Sequence, residues 1–373
     1  MSVFDASGNA ISLTKIHAYV ERVVEKDLLS SLFIRAPLLT FLAGKGKDNG
    51  LGRPGTLGVI GGSGNFSAVE KEDLNGIEVH DRYHVARVGG GKFMAEYDTM
   101  PSTGTARHDL QVRSAIHRWA ELITPITINK TVIELSKGVQ IANVTKEAAD
   151  MAMEEHIEDM TYALWRGNPS DQSANIWSSP LGVTQAMNSS NTYGNLNRST
   201  YSFVAGKRVT TAKSATLDLI EDANLTQGAQ DKGPGIDFVL TSKAIYTKLK
   251  KEAMARGQAI QIGQMPGVFE VSSKFECIKY GLVTITYDPY LDQSSTDWSS
   301  YDSDITDSSK VFAAFTTQDW VFAAHSSGNF SVDPFKDQSE IPGAPKAVTS
   351  NIRTKMMLRC RKPWRSVIYT NVS

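Results

Sequence analysis

The stretch at residues 193–203, YGNLNRSTYSF, sets one arginine, Arg198, among hydroxyls. A guanidinium there suits an anion, because it presents a planar fork of donors. Ser199, Thr200 and Ser202 would be nucleophiles only with a base within hydrogen-bond reach. The glycine and asparagines around them favour a tight turn. Two readings follow from these residues: a catalytic loop, or a turn that holds a shape.

Other candidates for chemistry fail on type or spacing. His80 and His84 flank a strand-like DRY, where residues four apart share a face but lie ~13 Å apart. His156 is followed by IED and not by the HExxH arrangement that places two imidazoles on one helical turn. The loop DSDITD at 302–307 has calcium-like carboxylates without the glycine and closing glutamate of an EF-hand. VGGGKFMA has no Ser or Thr after its lysine, so it is not a phosphate loop, and in GGSGN Asn65 replaces the last glycine of a nucleophile elbow at Ser63. Ser12 and Lys15 satisfy SxxK, but Ser12 reads better as a helix cap. The carboxylates of 150–159 have the spacing of an outer helical face. These residues point to no enzyme, no metal and no cofactor.

The elements that would position such groups come next. At 373 residues the chain can form two domains with cores of their own. Its 39 basic and 40 acidic residues cancel, which argues against global attraction to nucleic acid or membrane. Two distant cysteines, Cys277 and Cys360, exclude a disulfide framework or a CxxC motif, and read as buried thiols. No signal segment or apolar run of ~20 residues is present, so a cytoplasmic site of synthesis is expected.

Residues 12–43 carry a helical period through Ile16, Val20, Leu28 and Leu32 until Pro37, and the glycine-rich run 44–67 reads as an extended arm. Strand alternation follows: Ile77, Val79, Tyr83, Val85, then Phe93 and Tyr97 past the glycines 89–91. Residues 109–123, with Val112, Ile116, Trp119 and Ile123, fit a helix or a strand; Ile126, Ile128 and Val132 alternate. About 20 strand residues reach ~65 Å, against a radius of gyration of ~21 Å for a compact chain of this length. Such a hairpin must bend or project onto another subunit. Residues 140–165 are the clearest helix, with Ala149, Met153, Ile157, Met160 and Leu164 in one apolar stripe. Beyond 205 the texture is α/β: a helix near 214–223, the strand IDFVLTS, a helix over 243–257, strands at 275–288 and 310–325, an acidic serine-rich loop at 292–309, and a basic tail of one or two strands. The pentapeptide SGNFS occurs twice, at 63–67 and 327–331, which is too short to mark a repeat.

This order of elements resembles the major capsid proteins of tailed bacteriophages, the Hong Kong 97-type fold, an α+β architecture. PLGVTQAMNSSNTYGNLNRSTYSF is similar to the segment after the long helix in that family, where a glycine turn precedes a polar residue, arginine and serine: here Gly194, Asn197, Arg198 and Ser199. IDFVLTSKAIYTKLKKE, VTITYDPYL ending its strand at Asp288, and PITINKTVIELSKG resemble neighbouring segments of the same family. Asn197 stands where aspartate is common there. The resemblance covers roughly residues 77–373.

The resemblance implies an N-terminal arm (1–56), a lead-in (57–76) and an extended loop (77–132) whose Ile77, Val79, Tyr83, Val85, Phe93, Tyr97 and Trp119 meet a neighbouring subunit. It also implies a peripheral domain (133–204 and 336–373) with its spine helix, and an axial domain (205–335). Arg198 would fix the junction of these two domains by hydrogen bonds or an ion pair. The implied partners are copies of the chain in hexamers and pentamers, a portal protein, a separate scaffolding protein or none, cement proteins, and packaged double-stranded DNA bound without sequence preference, with no membrane. The implied location is the virion, after assembly in the bacterial cytoplasm. An encapsulin-like compartment shares the fold, and a serine hydrolase using Ser199 or Ser63 is the alternative from another class. The aspartates of the loop Gln293–Ser309 are expected to splay into solvent.

Overall fold

The computed structural model describes residues 3–4, 10–11, 16–18, 20, 37–38, 78–86, 111–135, 139–169, 176–227, 235–256, 260–262, 276–281, 283–292, 298, 302–316, 319–325, 331–338 and 346–373. Ile77, Phe93, Tyr97, Ser63 and the glycine run 44–67 lie outside these residues, as does the side chain of Val85.

Two sheets organise the chain. The first has five strands around the long β17 (Ala347–Cys360). β5 (Ala120–Asn129) pairs antiparallel with β17 along one edge, from Asn129 opposite Ala347 to Ala120 opposite Met356. β14 (Trp320–Ala324), β15 (Ser331–Val332) and β16 (Lys336–Asp337) take successive parts of the other edge. The second sheet has seven strands: β8 (Lys207–Val209), β9 (Phe238–Thr241), β10 (Ile260–Ile262), β11 (Glu276–Tyr280), β12 (Val283–Tyr287), β13 (Phe312–Phe315) and β18 (Val367–Tyr369). Their order is β10-β11-β12-β9-β13-β18-β8, and only the β12–β9 and β18–β8 pairs are parallel. The strands expected at 275–288 are β11 and β12, a hairpin with Gly281 at φ +60° between them.

Around the sheets lie α1 (Lys130–Leu135), α2 (Val139–Arg166), α3 (Val183–Ala186), α4 (Asp218–Gln227) and α5 (Lys243–Ala255). Ala149, Met153, Ile157, Met160 and Leu164 of α2 are buried in the same core as Ile126 and Ile128 of β5 and Ile352 of β17. In that same interface, His156 stands buried between Thr124 and Thr354, 2.8 Å from each hydroxyl. Burial holds its pKa down at about 4. The neutral ring thus stabilises the fold fully above pH 6.5, and that contribution is lost as pH falls toward 4.

Alternation decides how the seven-stranded sheet is covered. Phe238, Leu240, Ala313, Phe315 and Ile368 join the core of the five-stranded sheet. Val239, Phe312, Ala314, Val367 and Tyr369 face α4 and α5. The two sheets therefore share one continuous core. The chain also crosses between them more often than the implied domain limits allow: β14, before residue 335, belongs to the five-stranded sheet, and β18, after 336, to the other. The N-terminal segment is similarly drawn in, with Ile16, Val20 and Leu38 buried in the shared core. In these described positions it packs on its own chain and not as a free arm.

The β3 (Glu78–Ala86) and β4 (Gln111–Arg118) strands form the root of a hairpin, with a register shift between His84 and Ala86. Residues 111–118 and 120–129 are all strand, which settles the helix-or-strand alternative. The return limb expected to reach 132 as part of the loop leaves it at Trp119, because β5 pairs with β17. Val132 lies on α1, 40% exposed.

Candidate functional site

The residues 182–208 form the junction where α2, α3 and both sheets meet. β6 (Thr192–Tyr193) and β7 (Leu196–Asn197) make a small hairpin. Its two loop residues, Gly194 and Asn195, both have positive φ, at 54° and 67°, as a primed two-residue turn requires. A Cβ on Gly194 would also stand 2.8 Å from Ala115 Cβ, and Ile116 N donates to the Gly194 carbonyl at 2.9 Å. Glycine is needed twice there, for the turn and for its approach to β4.

Arg198 is buried, with its guanidinium 5.1 Å from the Tyr193 ring centroid. Its Nε donates to Val204 O at 3.1 Å and Nη1 to Ser190 O at 2.9 Å. Nη2 donates to Gln185 O at 2.6 Å and Ala186 O at 3.2 Å. Burial pushes its pKa down to about 10, still far above neutrality. All four acceptors belong to residues 185–204, so Arg198 gathers its own segment. Ser199 is exposed; its hydroxyl and amide both donate to Asn197 Oδ1, an amide oxygen that cannot act as a general base.

The tie between the segments is Arg208, on β8. Its side chain is 1% exposed and takes Asp302 bidentately at 2.6 Å on each arm. It also reaches Asp304 at 2.9 Å and Thr184 O at 2.6 Å. Gln185 Nε2 reaches Asp302 as well, at 3.4 Å. Arg208 and Arg198 together therefore hold the consecutive carbonyls of Thr184, Gln185 and Ala186, the C-terminal groups of α3 that have no partner within the helix. The splayed-loop expectation fails for Asp302, whose carboxylate is inside; the side chains of Asp304 and Asp307 are 44% and 43% exposed, the latter capping the turn at Ser309, and Asp297 lies outside the described residues. A composition rich in serine and aspartate looked solvated because its counter-charge lies 94 residues away.

Backbone contacts tighten the same junction. A Cβ on Gly167 would fall 2.3 Å from Pro180 O, on Gly182 2.6 Å from Gly167 N, and on Gly206 2.3 Å from Met187 C. Gly182 N donates to Gly167 O at 2.8 Å, locking α3 to the end of α2. From the other side, buried Asp288 at the end of β12 accepts from Trp165 Nε1 at 2.9 Å and Tyr290 N at 3.0 Å. Burial outweighs these bonds and raises the Asp288 pKa to about 6. The long helix and the seven-stranded sheet are thus fixed to each other by side chains and by main chain.

The hairpin root packs against the five-stranded sheet. Val79 and Trp119 bury against Ala323 and Met357, and Trp119 meets His325 edge-on at 5.1 Å. Tyr83 lies against Phe203 at 5.4 Å. Val79, Tyr83 and Trp119, expected to meet a neighbouring subunit, are buried in their own chain, because β3 and β4 lie on β14 and β17.

A solved capsid has a similar fold. The cyanophage A-1(L) capsid asymmetric unit is similar over 79% of this chain and 88% of that one, at 9% identity and a TM-score of 0.51. The chain has the tailed-phage capsid fold. The capsid of a native GTA particle covers 80% of this chain and 86% of its own, at 10% identity and a TM-score of 0.49. The SrpI encapsulin of Synechococcus elongatus PCC 7942 covers 79% and 81%, at 10% identity and a TM-score of 0.43. No family model and no curated protein matches the sequence.

Within this capsid fold the sequence reading pointed to Gly194 and Arg198 but missed Arg208, Asp302 and the glycines 167, 182 and 206. A signal for the glycines was present: Gly167 follows the last helical residue and Gly182 precedes α3, the positions where chain ends come close. Among the described residues no cluster of His, Cys, Asp and Glu could hold a metal, and no helix is long and apolar enough to cross a membrane.

Proposed function

We propose that the chain is the shell subunit of a tailed-phage head, assembling through hexamers and pentamers into an icosahedral container for double-stranded DNA. The observation that carries this is the match of fold to the cyanophage capsid over four-fifths of the chain. A balance of 39 basic against 40 acidic residues supports it, since like-charge repulsion would oppose close packing of many copies. Arg198 and Ser199 act as structure: the arginine satisfies carbonyls and the serine closes a turn. A portal, a scaffolding protein and cement proteins are its expected partners, and the virion its expected location.

Electron microscopy of the purified protein tests the reading, with closed shells built of five- and six-fold capsomers expected. A chain that stays monomeric at high concentration, or whose Ser199 or Ser63 is labelled by a serine-reactive probe, would overturn it. Particles from the natural source holding a cargo enzyme instead of DNA would turn the reading to an encapsulin-like compartment.

The hairpin gives a sharper test. Ala86 pairs with Gln111, so replacing residues 87–110 by Asn-Gly closes the root with a primed turn. The shortened chain should fold, with the root still seated on Met357, yet form no shells. Normal assembly of that variant would show that the segment is not an assembly element.

A further inference from the structure

Three ionisable side chains from three strands meet beneath the hairpin root: Asp81 on β3, His117 on β4 and Arg359 on β17. Arg359 Nη1 lies 2.6 Å from Asp81 Oδ1, an ion pair that joins hairpin to sheet, with side-chain exposures of 3% and 11%. His117 is fully buried. Its Nε2 lies 3.5 Å from Asp81 Oδ2, beyond a good hydrogen bond, and neither ring nitrogen has a hydrogen-bond partner, nor does Asp81 Oδ2. The ring packs instead as an aromatic body, 5.0 Å from Tyr193 and 6.3 Å from Trp177. We propose that His117, Asp81 and Arg359 form an acid-sensitive tie, which holds the hairpin root on the five-stranded sheet and releases it when His117 takes up a proton.

The charges balance only while His117 is neutral: one carboxylate faces one guanidinium. A proton on His117 places a second cation in the same water-free space, and the two compete for Asp81. The groups that face His117 are Asp81 and His80 on β3, Arg359 on β17 and the Tyr193 ring on β6. Asp81 favours the charged ring, while burial, Arg359 and His80 oppose it, and burial dominates, pushing the pKa down to about 4. A lifted hairpin puts the ring in water, where it titrates near 6.5. The seated state is therefore fully favoured above pH 6.5 and loses that advantage as pH falls toward 4. His156 has the same sign, but it ties α2 to β5 and β17, so its effect falls on different segments. This inference concerns the chain's own fold and stands apart from the shell reading.

Hydrogen exchange of the full-length subunit at pH 7 and pH 4.5, corrected for intrinsic rates, tests it. Residues 78–86 and 111–118 should lose protection by about tenfold or more at the lower pH, while 238–241 and 243–255, which neither histidine touches, keep theirs. His117→Gln, polar but not titratable there, should remove that loss. Three results would overturn the proposal: undiminished hairpin protection at pH 4.5, simultaneous loss in 238–241 and 243–255, or an unchanged acid response in His117→Gln. Should that variant not fold at pH 7, exchange at the histidine C2 position in the wild-type chain decides. A hairpin midpoint that coincides with the titration of His117 supports the tie, and one about a pH unit or more away rejects it.

Discussion

Arg208→Ala is expected to cost about 3–5 kcal/mol of folding stability, because it strands the Asp302 carboxylate in the interior. That carboxylate is 4% exposed, and the groups left to it are Gln185 Nε2 at 3.4 Å and the Asp304 amide at 3.2 Å. Asp302→Ala should cost less, since Arg208 keeps Asp304 and the Thr184 carbonyl. A double-mutant cycle in urea isolates the pair, and the two losses should be strongly non-additive. Replacing both partners by apolar residues of similar size should recover most of the stability, because the desolvation penalty goes with the charges. A loss below about 1 kcal/mol for Arg208→Ala would mean a pair screened by solvent, and the junction would then owe its rigidity to the glycine contacts.

Arg198→Ala should be of similar size, about 3 kcal/mol or more, since Val204 O, Ser190 O and Ala186 O each lose a donor and Gln185 O is left with the Asn188 amide at 3.2 Å. Arg198→Lys discriminates between shape and charge. A single ammonium cannot reach Val204, Ser190 and Gln185 at once, and it is harder to desolvate than a guanidinium. Lysine should therefore restore less than half of the stability and of the yield of closed particles, read by denaturation and by sedimentation. Full rescue by lysine would show that a point charge suffices.

The sequence made some of this legible because the forces were local. The stripe from Ala149 to Leu164 is a 3.6-residue period, and α2 at Val139–Arg166 follows it within a residue. Gly194 and Asn195 announce a turn by type alone. The segment 109–123 stayed open between helix and strand for a physical reason. Ala115, His117 and Trp119 are buried at odd positions, but Ala120, Thr124, Ile126 and Ile128 at even ones, because the chain changes sheets at Trp119. Of the helix-spaced Ile116, Trp119 and Ile123 only Trp119 is buried, so that apolar spacing does not follow the face each strand buries. In the sequence His156 is only a histidine without an HExxH partner, and Thr124 and Thr354, 32 and 198 residues away, make it a core residue. Arg208 likewise finds Asp302 across 94 residues. Buried polar groups are chosen by partners that periodicity does not register.

The placement of β17 and β18 bears on how the chain comes off the ribosome. β17 is the strand to which β5, β14, β15 and β16 all pair, and β18 lies between β13 and β8 in the other sheet. Both are translated after every other strand of the two sheets. At about 5–20 residues per second, β5 waits ten seconds or more for its partner, and neither sheet can close meanwhile. Asp81 has no Arg359 to seat against during that interval. The nascent chain thus remains without a docked hairpin until synthesis is nearly complete. Vectorial translation itself delays the docking of the hairpin root.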